Sequence, residues 1–69
     1  MSNELKNAMV NNFGHLVTKQ SIDEVATSLS NWEYLGANND KVILLRDYCG
    51  CMEFVDVVIE DNELKLIYS

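Results

Sequence analysis

The stretch KVILLRDYCGCMEFVDVVIEDNELKLIYS, Lys41 to Ser69, decides the fold. It reads as three strands, "KVILLRD", "CMEFVDVVIE" and "ELKLIYS", separated by short turn-like segments. Asp61 and Asn62 both tolerate positive φ and make a good two-residue hairpin connection. That turn sets Ile59 opposite Leu64, Val57 opposite Leu66 and Val55 opposite Tyr68, all on one face. A loop across Cys49 and Gly50 sets Leu44 opposite Val55, Val42 opposite Val57 and Arg46 opposite Glu53, so the same face receives every aliphatic partner. A loop one residue longer would oppose Val42 with Asp56 and Leu45 with Glu53, mixing apolar and charged positions. The pattern predicts an antiparallel meander with strands over 41–47, 52–60 and 63–68.

Upstream of Lys41, "WEYLG" carries two periodicities. Trp32 continues a helical spacing with Gly36 as a C-cap, but the segment also alternates like a strand. The β-favouring aromatics and the turn-like "ANND" favour a short strand from Trp32 to Leu35. Before it, Ser21 and Glu24 form a capping box, in which the serine oxygen takes one orphan N–H and the glutamate reaches back for another. A helix over 22–30 follows, with Ile22, Val25, Ala26 and Leu29 on its apolar face and Asp23 and Glu24 at the positive end of its dipole. Leu5, Ala8, Met9, Phe13, Leu16 and Val17 recur at intervals of three and four and predict a first helix over 3–18. Gly14 weakens that helix by about 1 kcal/mol without forbidding it. His15 falls off the stripe and reads as a surface or boundary residue.

Together these elements predict an α+β fold, two N-terminal helices packed on one face of a three- to four-stranded antiparallel β-meander, as a single domain over 1–69. A chain of 69 residues buries only about 60% of its unfolded surface, so a small core and modest stability are expected. The helix-facing side of the sheet would carry Val42, Leu44, Val55, Val57, Ile59, Leu64 and Leu66. The other side would carry Ile43, Leu45, Met52, Phe54, Val58 and Ile67, interrupted by Lys41, Asp47, Asp56 and Lys65. A sheet face left in water is normally polar. Six apolar side chains there would form a patch of a size that marks a binding surface.

Charge narrows the partners. The chain has 5 basic and 11 acidic residues for a net charge of −6. Lys6 and Lys19 outnumber Glu4 in the first twenty residues, whereas Lys41, Arg46 and Lys65 face ten carboxylates in the remainder. Such a surface repels phosphates, which argues against direct binding of nucleic acid, and attracts a basic partner. The aliphatic run Val42–Leu45 is far too short to span a bilayer, and "MSNELKNAM" lacks the apolar core of a signal peptide. A cytoplasmic protein with no membrane partner is expected.

The stretch Cys49-Gly50-Cys51 raises metal or thiol-redox chemistry. A structural zinc site needs four ligands, and His15 is the only imidazole. A disulfide between residues so close in sequence is strained. The reading adopted is a turn with two free thiols and no cofactor or metal, the metal or thiol module being the lesser alternative. The sequence holds no glycine-rich phosphate loop and no nucleophile–base pair with a reason to meet, so no enzyme is expected. Glu60 and Glu63 face each other across a turn as a solvated edge.

The expected function is that of a small acidic protein-binding module. It would act as an inhibitor or modulator by occupying a basic or nucleic-acid-binding surface of a larger protein. By analogy this is the setting of phage or mobile-element accessory proteins and of toxin-neutralising immunity proteins. The residues expected to bind the partner are Asp47, Tyr48, Glu53, Phe54, Asp56 and Glu60. The alternative is a homo-oligomeric structural protein, a homodimer in the simplest case, joined through Met52, Phe54, Val58 and Ile67.

Overall fold

The computed structural model describes residues 2–38 and 40–68. In chain order it comprises α1 (Ser2–Phe13), a 3-10 turn (Gly14–Leu16), α2 (Lys19–Ser28), β1 (Glu33–Asn38), β2 (Lys41–Tyr48), β3 (Cys51–Glu60) and β4 (Glu63–Tyr68). The four strands form one antiparallel sheet in the order β1-β2-β3-β4. The fold is α+β.

The sheet has the register expected from its turns. Leu44 opposes Val55, Val42 opposes Val57 and Arg46 opposes Glu53, while Val55 opposes Tyr68, Val57 opposes Leu66 and Ile59 opposes Leu64. Both hairpins close through residues at positive φ, Cys49 (55°) with Gly50 (80°) and Asp61 (55°) with Asn62 (64°). Two consecutive positive φ values define the type I′ turn, whose twist matches that of the flanking strands. β1 is longer than the expected 32–35. It starts at Glu33 and runs through Gly36 and Ala37 to Asn38, with a register irregularity between Tyr34 and Gly36. "ANND" is therefore partly strand, and Asn39 lies outside the described residues.

The helical half departs from expectation at two points. Gly14 takes φ +58°, a left-handed conformation in which no α-helix continues. The helix expected over 3–18 thus ends at Phe13, and Leu16, which the stripe placed inward, is exposed. The second helix starts three residues before Ile22 and is capped by Thr18, whose Oγ1 accepts the Ser21 backbone N–H at 3.1 Å. Ser21 is itself inside the first turn and does not act as N-cap. Glu24 does not complete a capping box, since its Oε1 accepts from Gln20 Nε2 at 3.4 Å. Asp23 and Glu24 therefore lie past the first turn, which contains no acidic residue. Thr18 has the same cap chemistry as Ser21 and sits where the chain is extended, so it takes the role.

The core is one cluster: Leu5, Ala8, Met9 and Phe13 of α1; Ile22 and Ala26 of α2 with Leu29; Trp32; and Val42, Leu44, Val55 and Val57 of the two central strands. Ile59, Leu64, Leu66 and Tyr34 pack half-buried against it. Each fully buried aliphatic side chain contributes about 1.5–3 kcal/mol by leaving water. Tyr68 opposes Val55 on the core-side face as expected but is exposed there, its ring 6.2 Å from that of Trp32.

Candidate functional site

The period of two along each strand separates the residues of interest. Val42, Leu44, Arg46 and Tyr48 share the face that contributes to the core, as do Glu53, Val55 and Val57. Ile43, Leu45, Asp47, Met52, Phe54, Asp56, Val58, Glu60, Lys65 and Ile67 share the other. Because cross-strand partners lie on the same side, this second face is a grid of rows. The rows include Glu33–Leu45–Phe54, Gly36–Ile43–Asp56–Ile67, Asn38–Lys41–Val58–Lys65 and Asp47–Met52.

Four apolar residues on or beside this grid are well exposed: Met52 (70%), Leu35 (57%), Ile67 (49%) and Phe54 (37%). Ile43, Leu45 and Val58 are half-buried among them. The structure thus brings Met52, Phe54, Val58 and Ile67 onto one face. Leu35 lies beside them at the irregularity between Tyr34 and Gly36, which also turns Gly36 onto this face opposite Ile43.

The acidic residues behave differently from a bare anionic surface. Asp56 pairs with Lys41 at 3.3 Å, Glu60 with Lys65 at 3.4 Å and Glu53 with Arg46 at 3.2 Å. Exposed pairs of this kind contribute at most about 1 kcal/mol each. They do neutralise three of the four carboxylates expected to face a partner. Asp47 alone of that set has no ion pair among the described residues, and Glu33, which sequence reasoning passed over, shares that condition. Tyr48 and Glu53 lie on the core-side face of the sheet and Asp47, Phe54, Asp56 and Glu60 on the other, although Tyr48 and Asp47 meet at the edge of β2, where both line one groove.

The β2–β3 hairpin outruns β1. Pairing of β1 with β2 stops at Glu33 opposite Leu45, and pairing of β4 with β3 is described up to Tyr68 opposite Val55. The ribbon Arg46–Glu53 thus extends past β1. It is propped on the core side by Arg46, whose guanidinium lies 4.7 Å from the centroid of Trp32 and 5.0 Å from that of Tyr48 while donating to Glu53. Stacking an Arg on aromatic faces contributes about 0.5–2 kcal/mol. Trp32 is 4% exposed, and the Arg46 Nε beside it is buried without a hydrogen-bond partner. Trp32 is therefore a core residue that seats an arginine.

Beside Glu33, the first residue of β1, a groove of about 530 Å³ opens against the free edge of β2, lined by Asn31, Glu33, Leu45, Arg46, Asp47, Tyr48 and Met52, with the Arg46 charge taken up by Glu53. At the ribbon's tip Cys49 and Cys51 are both free and exposed. No cluster of three or more His, Cys, Asp or Glu able to hold a metal occurs among the described residues, and no helix among them is long and apolar enough to cross a membrane. No family model, curated protein or solved structure matches the chain.

Proposed function

We propose that this chain is a small acidic protein-binding module whose helices cover one face of the sheet and whose other face docks on a larger protein with a basic surface, as an inhibitor or modulator of that protein. The observation that carries the reading is the exposed apolar set Leu35, Met52, Phe54 and Ile67 on a molecule of net charge −6. Apolar area supplies affinity by leaving water, and net negative charge steers a basic partner and turns nucleic acid away. A surface that itself handles nucleic acid is the basic surface this charge fits best. The cross-strand pairs Lys41–Asp56 and Lys65–Glu60 give the face a fixed pattern of sign, which favours one docking orientation over others.

The test is capture from the protein's own cell extract followed by native mass spectrometry, with Ile67→Lys as the comparison. Ile67 stands opposite Asp56, so a lysine there gains a favourable cross-strand neighbour while breaking the apolar set and adding positive charge. Recovery of a defined basic protein with the wild type and its loss with Ile67→Lys supports the reading; undiminished recovery with the variant removes the face from the interface.

A second reading is self-assembly through Met52, Phe54, Val58 and Ile67. The pairing of Asp56 with Lys41 and of Glu60 with Lys65 favours it, because around Val58 and Ile67 two copies would meet through charges already balanced within each copy. A wild-type mass that never exceeds 7.9 kDa in solution rules it out.

A further inference from the structure

We propose that the groove at the free edge of β2 receives an extended, lysine- or arginine-bearing segment of the partner, added as a short strand where pairing with β1 stops. The inference rests on the reading above for the partner's basic character, and adds where and in what conformation that charge is taken up.

The first argument is backbone chemistry. Tyr48 and Cys51 close the two-residue turn as partners, and in such a turn the closing pair exchanges both hydrogen bonds. Antiparallel ladders alternate, so the neighbouring residue Asp47 directs its N–H and C=O away from β3. Pairing with β1 has already ended two residues earlier, at Leu45. An extended segment alongside β2 would satisfy both groups, which is the basis of recognition by strand addition.

The second argument is the side-chain chemistry of the groove. Glu33 with Leu45, and Asp47 with Met52, are cross-strand neighbours, so carboxylates and apolar groups alternate along its wall. Neither Glu33 nor Asp47 has an ion-pair partner among the described residues, unlike Glu53, Asp56 and Glu60. A cation on the incoming strand would stand opposite Asp47, where opposite charges are favoured and a carboxylate is repelled. Its apolar neighbours would rest on Leu45 and Met52. The volume of about 530 Å³ is in the range of ligand-holding clefts.

The third argument is rigidity. The stack of Trp32, Arg46 and Tyr48 holds the ribbon from behind, so little ordering cost falls on the binding event.

The experiment uses the full chain, labelled with 15N, and a blocked hexapeptide of alternating lysine and valine, with the glutamate–valine peptide as its control. The lysine peptide is expected to shift the amides of Glu33, Leu45, Asp47 and Met52, to slow exchange of the Asp47 amide, and to weaken with added salt. Glu33→Gln combined with Asp47→Asn is expected to lower its affinity about fivefold, equivalent to about 1 kcal/mol. Glu24→Gln combined with Glu63→Gln removes the same charge where α2 meets the β3–β4 turn and is expected to leave affinity within about twofold. Absence of shifts, equal losses in the two double variants, or binding of the glutamate peptide overturns the proposal. Capture of a basic protein through the Ile67 face with no peptide effect at the groove would overturn this inference alone.

Discussion

Replacing Gly14 and Gly36 by alanine, one at a time, should move stability in opposite directions, although an added Cβ meets nothing within 4 Å at either position. At Gly14 the backbone has φ +58°, where an L-residue costs about 1–2 kcal/mol. Alanine also narrows the unfolded ensemble, which returns about 0.4–1 kcal/mol. The net loss is about 1 kcal/mol. Gly36 lies within β1 outside the left-handed region, so alanine there keeps the unfolded-state gain of about 0.4–1 kcal/mol without strain. With an unfolding entropy of about 2.1 cal/mol/K per residue over 69 residues, 1 kcal/mol corresponds to about 7 °C in Tm. Thermal unfolding followed by circular dichroism should therefore place Gly14→Ala about 10 °C or more below Gly36→Ala. A Gly14→Ala protein that is more helical and no less stable than the wild type would refute the reasoning. It would mean that α1 prefers to run on through the 3-10 turn once alanine permits it, and that the break is a property of glycine alone and not of the packing of α1 and α2.

Thr18→Ala should cost about 1 kcal/mol through loss of the cap to the Ser21 N–H, and Ser21→Ala clearly less, as read by urea midpoints; equal costs would restore the capping role to Ser21. Cys49→Asn should raise the midpoint by a few tenths of a kcal/mol to about 1 kcal/mol, because asparagine followed by glycine suits the positive φ values of a type I′ turn, and a fall would show that the thiol makes an interaction of its own. Arg46→Ala uncovers the single tryptophan, so Trp32 emission should shift to the red while the fold is retained, with a loss of about 1 kcal/mol from the stack and the Glu53 pair.

The strand half of the molecule was legible because its period is two and its turns are short. Once Asp61–Asn62 and Cys49–Gly50 are placed, every partner from Lys41 to Tyr68 follows, and so does the segregation of Met52, Phe54, Val58 and Ile67 from Val42, Leu44, Val55 and Val57. The helical half was less so. A stripe from Leu5 to Val17 has helical spacing whether or not Gly14 interrupts it, and only the backbone conformation at Gly14 tells the two apart. Thr18 and Ser21 are chemically equivalent as caps, so composition could not choose between them. In the candidate site, the faces of Asp47, Phe54, Asp56 and Glu60 were readable from parity. The pairing of Asp56, Glu60 and Glu53 with Lys41, Lys65 and Arg46 depends on side-chain reach. The groove beside Glu33 depends on where β1 begins, which the double periodicity of "WEYLG" left open.

The strand order β1-β2-β3-β4, in which every strand pairs only with its neighbours in sequence, also governs how the chain acquires its structure in time. Hairpins closed by tight turns form on the order of microseconds, and no long loop has to be closed before a contact is rewarded. During synthesis, however, α1 and α2 emerge first with Leu5, Met9, Ile22 and Ala26 uncovered, and Val55 and Val57, which meet them in the core, emerge after both helices are complete. At synthesis rates of about 5–20 residues per second, the apolar stripes of the helices wait for seconds. Once β3 appears, collapse is orders of magnitude faster than the wait that preceded it. The hazard in the life of this molecule thus falls before its sheet exists, on the ribosome.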